Sequence, residues 1–223
     1  MITRLLEKIF TALFPAQCII CHSEETSCNI CQNCIQQLTI NRDLQLPWIF
    51  SLYHYKDERV HICIHHLKNH PDELLIHEIL SHKKLMIIGW ITGIITYYQI
   101  KNIVLVPTPI HHSRFVDRGY NQSEIIAKGV RKILEQTLLN ISISIHSEIV
   151  RKNKKTEKQA LIMDREKRFK NVVNIFTTTG REAKLPAQTL IVIIDDVTTT
   201  GGTLQEIYNQ FPYHHVVAFT LAH

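Results

Sequence analysis

The sequence predicts an α/β protein with a mainly parallel sheet flanked by helices, preceded by a small metal-binding module. Three observations carry this. The apolar runs Ile103–Val106 and Ile191–Ile194 each end in a polar loop that leads into a helical pattern. Continuous runs of this kind suit strands covered on both faces. The second run ends in Asp195 and Asp196, then Val197, Thr198, Thr199, Thr200, Gly201, Gly202 and Thr203. Acids at a strand's carboxyl end stand where open α/β sheets bind ligands, and a hydroxyl- and glycine-rich turn suits a phosphate. Cysteines form two Cys-x-x-Cys pairs near the start of the chain, which is a metal spacing.

The chain has 223 residues, enough for one ordinary domain and a small one, here 1–45 and 46–223. A hydrophobic content of 45% with 20% charged residues fits a globular protein. The net charge of +5 permits a polyanionic partner. Ile2, Leu5, Leu6, Ile9, Phe10, Leu13 and Phe14 have helical spacing, but Arg4, Glu7 and Lys8 interrupt the uncharged core a signal peptide needs. The apolar uncharged stretch Leu85–Ile100 is short of the ~20 residues of a membrane helix. The expectation is a cytoplasmic protein without a membrane span, with the inner membrane face as a place of work.

Cys18-x-x-Cys21 and Cys31-x-x-Cys34 offer four thiolates to a tetrahedral Zn²⁺. A segment this short has almost no core, so the metal would supply its folding energy. Cys28-x-x-Cys31 is a second legal pair. Cys31 and Cys34 are favoured because they run into an apolar helix start at Ile35 and Leu38. Cys63 stands alone in an apolar helical setting, as a core residue does.

Trp48–Tyr55 reads as a strand. Val60, Ile62, Ile64 and Leu67 follow a polar turn and lead towards Lys68. His61, His65 and His66 share helical spacing but lack an acidic or cysteine partner in sequence, which disfavours a metal. Asp72–Gln99 reads as one or two helices. After Ile103–Val106 come Pro107, Thr108 and a loop rich in Arg and amides, with Arg114, Arg118, Tyr120, Asn121 and Gln122. Such a loop suits an anion. A helix is expected from about Ser123 to Leu134, and a strand over Ile141–Val150. Arg151–Lys158 carries five positive charges against one negative, namely Arg151, Lys152, Lys154, Lys155 and Lys158 against Glu157. Lying between two sheet strands, it reads as a flap over a pyrophosphate or a nucleic-acid backbone rather than a solvated loop. Val216–Leu221 supplies the last strand.

The segment Asp195–Thr203 resembles the phosphoribosyl-pyrophosphate (PRPP) motif of type I phosphoribosyltransferases. The rival reading is an acidic phosphate or Mg²⁺ site of another doubly wound fold. More of the chain resembles the competence protein F (ComF) family. The matching pieces are Cys31-Gln32-Asn33-Cys34, Tyr53-x-Tyr55, His66-Leu67-Lys68, Val106-Pro107-Thr108-Pro109, Arg118-Gly119-Tyr120-Asn121-Gln122, Thr156-x-x-Gln159, Arg168-x-x-Asn171 and Asp195–Thr203. The resemblance implies a type I phosphoribosyltransferase-like fold and a role in natural transformation. It implies that Asp195 and Asp196 hold ribose hydroxyls, that the loop to Thr203 holds the 5′-phosphate, and that Pro107 and Thr108 border the site.

Three functions follow. The first is a protein that binds PRPP with Mg²⁺ and handles single-stranded DNA, with Arg114, Arg118, Tyr120 and the flap lysines on the strand. The second is a true phosphoribosyltransferase, with Asp195 and Asp196 fixing the ribose and Lys155, Arg165 or Arg168 neutralising pyrophosphate. The third is a sensor whose PRPP occupancy changes its affinity for DNA or a protein. The family alone points to a helicase or recombination mediator as a partner. Two departures stand out: Thr198 replaces the apolar residue usual after Asp-Asp-Val, and Cys28 is extra. A hood that would recognise a nucleobase is not visible in the sequence.

Overall fold

The computed structural model describes residues 17–24, 28–42, 46–152 and 175–223. Five strands form one parallel sheet: β1 (Ile49–Tyr53), β2 (Asn102–Pro107), β3 (Ser142–Ile145), β6 (Thr189–Val197) and β7 (His215–Ala222), in the order β1-β7-β6-β2-β3. A separate antiparallel pair joins β4 (Val150–Lys152) to β5 (Phe176–Thr178).

The alternation of side chains along β6 explains why both sheet faces are covered. Leu190, Val192 and Ile194 enter one apolar cluster, while Ile191 and Ile193 enter the other. The first face packs against α2 (Glu58–Asn69), α3 (Glu73–His82), α4 (Lys84–Tyr98) and α6 (Gln122–Glu135). The second packs against α7 (Gly202–Tyr208) and the β4–β5 pair. Two short helices complete the described chain: α1 (Gln32–Gln36) and α5 (His112–Arg118).

One expectation is narrowed and two shift in detail. Asp72–Gln99 forms two helices bent by 73°, with Asp72 capping α3 through the Leu75 amide at 2.8 Å. Ile141–Val150 is not one strand: β3 ends at Ile145, and Val150 begins β4 in the other sheet. The polar loop after Thr108 contains the helix α5, ended by Gly119 at φ 78°. Among the described residues no single helix is long and apolar enough to cross a membrane.

Helix α6 positions the site, and its seat is tight. A Cβ on Gly129 would lie 2.6 Å from Ile76 Cγ2 and 2.8 Å from Leu80 Cδ1, so α3 and α6 meet at this glycine. Alanine favours a helix over glycine by about 1 kcal/mol, but overpacking a core costs about 1–3 kcal/mol. Gly129→Ala should therefore lower the melting temperature, and a raised one would show that α3 yields.

Candidate functional site

The order of the strands creates the crevice. From β6 the chain crosses to β7 on one side, and from β2 it crosses to β3 on the other. The gap beyond the carboxyl ends of β2 and β6 is thus a switch point, where open α/β sheets bind ligands. Pro107 pairs with Ile194 in register, and the Thr108 amide donates to Ile194 O at 2.8 Å. Thr108 and Asp195 accordingly stand side by side at this gap.

Four groups on three elements hold the two acids. Ser123, in the first turn of α6, donates its hydroxyl to Asp195 Oδ1 at 3.2 Å. The Asp196 amide donates to the same oxygen at 3.0 Å, and the Val197 amide donates to Asp196 Oδ1 at 2.9 Å. Lys68, at the end of α2, places Nζ 3.6 Å from Asp196 Oδ2. Burial, and then the neighbouring Asp196 charge, push the Asp195 carboxyl up to about 8.

Motif residues build the frame. Asn121 caps α6 through the Ser123 amide at 3.0 Å and donates its Nδ2 to Thr108 O at 3.0 Å. Tyr120 donates its hydroxyl to Leu67 O at 2.9 Å, which ties the end of α2, and so Lys68, to the α5–α6 junction. Thr198 does more than sit in a loop. It is buried, its amide donates to Ala222 O at 3.1 Å, and its hydroxyl accepts from the Gly201 amide at 3.1 Å. Gly201 has φ 75°, and a Cβ there would meet Leu46 Cδ1 at 2.7 Å. Thr199, Thr200, Gly202 and Thr203 are exposed.

Several buried polar atoms here have no hydrogen-bond partner among the described residues: Thr108 Oγ1, Gln122 Oε1, Arg118 Nη1 and Asp196 Oδ2. Buried polar groups are normally paired, so Thr108 Oγ1 after β2, and Asp196 Oδ2 on β6 with the Lys68 ion pair but no hydrogen bond, mark a place where a polar ligand would complete the bonding.

The structure distributes the remaining sequence-predicted residues unevenly. Arg114 is exposed on α5. Arg118 is partly buried, and Tyr120 is partly buried against the core rather than displayed as a stacking platform. Lys152 lies on β4 with Nζ 5.9 Å from the Phe176 ring centre. Lys154, Lys155, Lys158, Arg165 and Arg168 lie outside the described residues. Ser123 escaped the sequence reading as a site residue. Its only signal is its place just after the Arg-Gly-Tyr-Asn-Gln run, in a helix start that the fold turns towards Asp195.

The cysteines converge. The sulfurs of Cys18, Cys21, Cys31 and Cys34 all lie within 4.8 Å of one another, and Cys21 and Cys31 are 3.7 Å apart. Tetrahedral Zn–S bonds of about 2.3 Å give S···S separations of about 3.8 Å, so the four could hold zinc. Cys28 lies outside the cluster, with its thiol donating to Ile30 O at 3.2 Å. The Cys31 amide donates to the Cys18 sulfur at 3.4 Å and the Cys34 amide to the Cys31 sulfur at 3.5 Å, which orients these ligands. The Ser23 hydroxyl beside it lowers the Cys21 thiol to about 6, whereas burial raises that of Cys34. The cluster is fastened to α3: Glu78 accepts from the amides of Asn29 and Ile30 at 3.1 and 3.0 Å. Cys63 is a buried core residue.

No family model matches the chain. Two relatives do. Competence protein F of Haemophilus influenzae is 31% identical over 103 residues, which is 46% of this chain and 41% of the relative. Competence protein ComFC of Bacillus subtilis is 27% identical over 188 residues, 84% of this chain and 68% of the relative. The first match thus spans about two fifths of the relative's own length. These two curated relatives support the place of this chain in the competence protein F family.

Proposed function

We propose that the chain binds PRPP with Mg²⁺ at the crevice between β2 and β6 and handles single-stranded DNA in natural transformation. The observation that carries this is the pair Asp195 and Asp196 at the switch point, held by Ser123 and Lys68, with Asp196 Oδ2 in the Lys68 ion pair but accepting no hydrogen bond among the described residues. Vicinal hydroxyls of a ribose each donate a hydrogen bond, and two adjacent carboxylates accept them. The turn Thr198–Thr203, stabilised by Thr198 and opened by Gly201, is where the 5′-phosphate would lie. Mg²⁺ would supply charge neutralisation of the pyrophosphate. The names of both relatives are those of competence proteins, which supports the biological setting.

Calorimetric titration of PRPP tests the reading. Saturable binding to the wild-type chain in Mg²⁺, weakened at least about tenfold in Asp196→Asn by loss of charge-assisted hydrogen bonds, is expected. Equal affinity of the two proteins would refute a ribose site at this acid pair.

A further inference from the structure

We infer that the cleft between α5 and the β4 edge, next to the acid pair, receives an unpaired nucleobase of single-stranded DNA, with Phe115 as its stacking surface. The inference deepens the reading of the chain as a handler of single-stranded DNA and rests on it.

The cleft holds about 370 Å³ and begins at Pro109, directly after Thr108. It shares one helical turn with the acid pair. Asn121 and Glu124 of α6 line it, while Ser123 between them bonds Asp195. Its apolar lining includes Ile110, Phe115 and Val150, and its polar lining includes Glu124, Glu148 and Arg151. Phe115 is 49% exposed, which leaves much of an aromatic ring in water.

This mixture argues for a base rather than a phosphate. A groove that followed the backbone alone would be cationic throughout, whereas here Glu124 would repel a phosphate, Glu148 being paired with Arg181 at 2.8 Å. A flat aromatic face with the Glu124 carboxylate in the same lining suits a base whose exocyclic amine donates, as cytosine N4 does to Glu. Phe115 fills the part for which Tyr120, with its ring against the core and its hydroxyl on Leu67 O, is not displayed. Arg151 and Lys152 at the cleft edge, with exposed Arg114 on α5, can meet the flanking phosphates. The acid pair and the cleft would then place a sugar phosphate and a base of the strand side by side.

Fluorescence anisotropy of full-length protein with labelled oligo(dC), oligo(dT) and an abasic oligomer, over a salt series, tests this. Wild type should bind oligo(dC) more tightly than oligo(dT), and both more tightly than the abasic strand. Phe115→Ala should weaken oligo(dC) about tenfold, the effect of losing one stacked base, with the salt slope unchanged. Phe115→Tyr should restore it. Arg114→Ala should instead lower the slope by about one. Because Phe115 is half exposed, its replacement should leave the melting temperature unchanged, which separates a lost contact from a lost fold. Equal binding of abasic and base-bearing strands, or an unaffected Phe115→Ala, overturns the cleft. So does free cytosine that binds in a Phe115-dependent way while no oligomer binds, because the source is then a small molecule. PRPP titration of Phe115→Ala is run alongside. It should match wild type, so failure of the cleft and failure of the PRPP site are read separately.

Discussion

Cys34→Ser is expected to leave the chain without bound zinc and to lower its melting temperature by more than about 10 °C. The wild-type chain should carry about one zinc, measured by atomic absorption on metal-free buffers. Structural zinc contributes about 10–16 kcal/mol of apparent binding energy in small metal modules, and that binding energy is folding energy. Here the module is welded to the larger core. Cys18, Ile30, Cys34, Ile35 and Leu38 are buried in the same apolar cluster as α3 and the sheet. Loss of the metal should therefore be felt beyond the cysteines, through the Glu78 bonds to Asn29 and Ile30. Two controls separate metal from packing. Cys28→Ser should keep its zinc, since Cys28 stands outside the cluster. Cys63→Ser should keep its zinc and lose only about 1–3 kcal/mol, the cost of a polar atom in a buried site. A wild-type chain that binds no zinc, or a Cys34→Ser chain that keeps it, would remove the metal reading.

What the sequence made legible follows from what is local in the chain. The strands β2 and β6 were readable because a strand buried on both faces must be apolar along its whole length, as Ile191–Ile194 is. The cysteine cluster was readable because two Cys-x-x-Cys turns state their own geometry. Choosing Cys31 with Cys34 over Cys28 needed space rather than spacing: only the fold shows the Cys28 thiol turned to Ile30 O. The acid pair was readable as a motif, but its partners were not. Ser123 and Lys68 come from 72 and 128 residues away in the chain, and no periodicity links them to Asp195 and Asp196. The part played by Thr198 was not legible, because a buried hydroxyl serving the Gly201 amide has no signature in a single sequence. Tyr120 has a structural role that its neighbours in sequence do not announce. An aromatic beside arginines looks like a base platform, yet its hydroxyl fixes Leu67 and its ring faces the core.

Asp195→Asn is expected to reverse the order of stability of two proteins when ligand is added. Without ligand the variant should melt above the wild type at pH 8.5, by roughly 3 °C or more, as each kcal/mol moves the melting temperature of a chain this size by about 2–4 °C. The carboxyl of Asp195 is raised from 3.8 to about 8 by burial and by Asp196. Between those values the folded chain binds more protons at this site than the unfolded chain. Stability from this group is therefore complete below pH 3.8 and is lost as pH rises to about 8. An amide escapes that loss, since it carries no charge and can still accept from Ser123. At pH 4 the two proteins should melt alike. With PRPP and Mg²⁺ at a hundred times the dissociation constant, the wild type should gain about 2.7 kcal/mol and the variant, which lacks one acceptor for the ribose, far less. The wild type should then melt higher. A variant stabilised equally by ligand would place the ribose elsewhere, and a variant no more stable than wild type at pH 8.5 would mean that Asp195 is not strained by its surroundings. Both results together separate the strain of the acid pair from its use. A charge that the fold holds at a cost, at the switch point of the sheet, is what a site specific for a hydroxyl-bearing ligand requires.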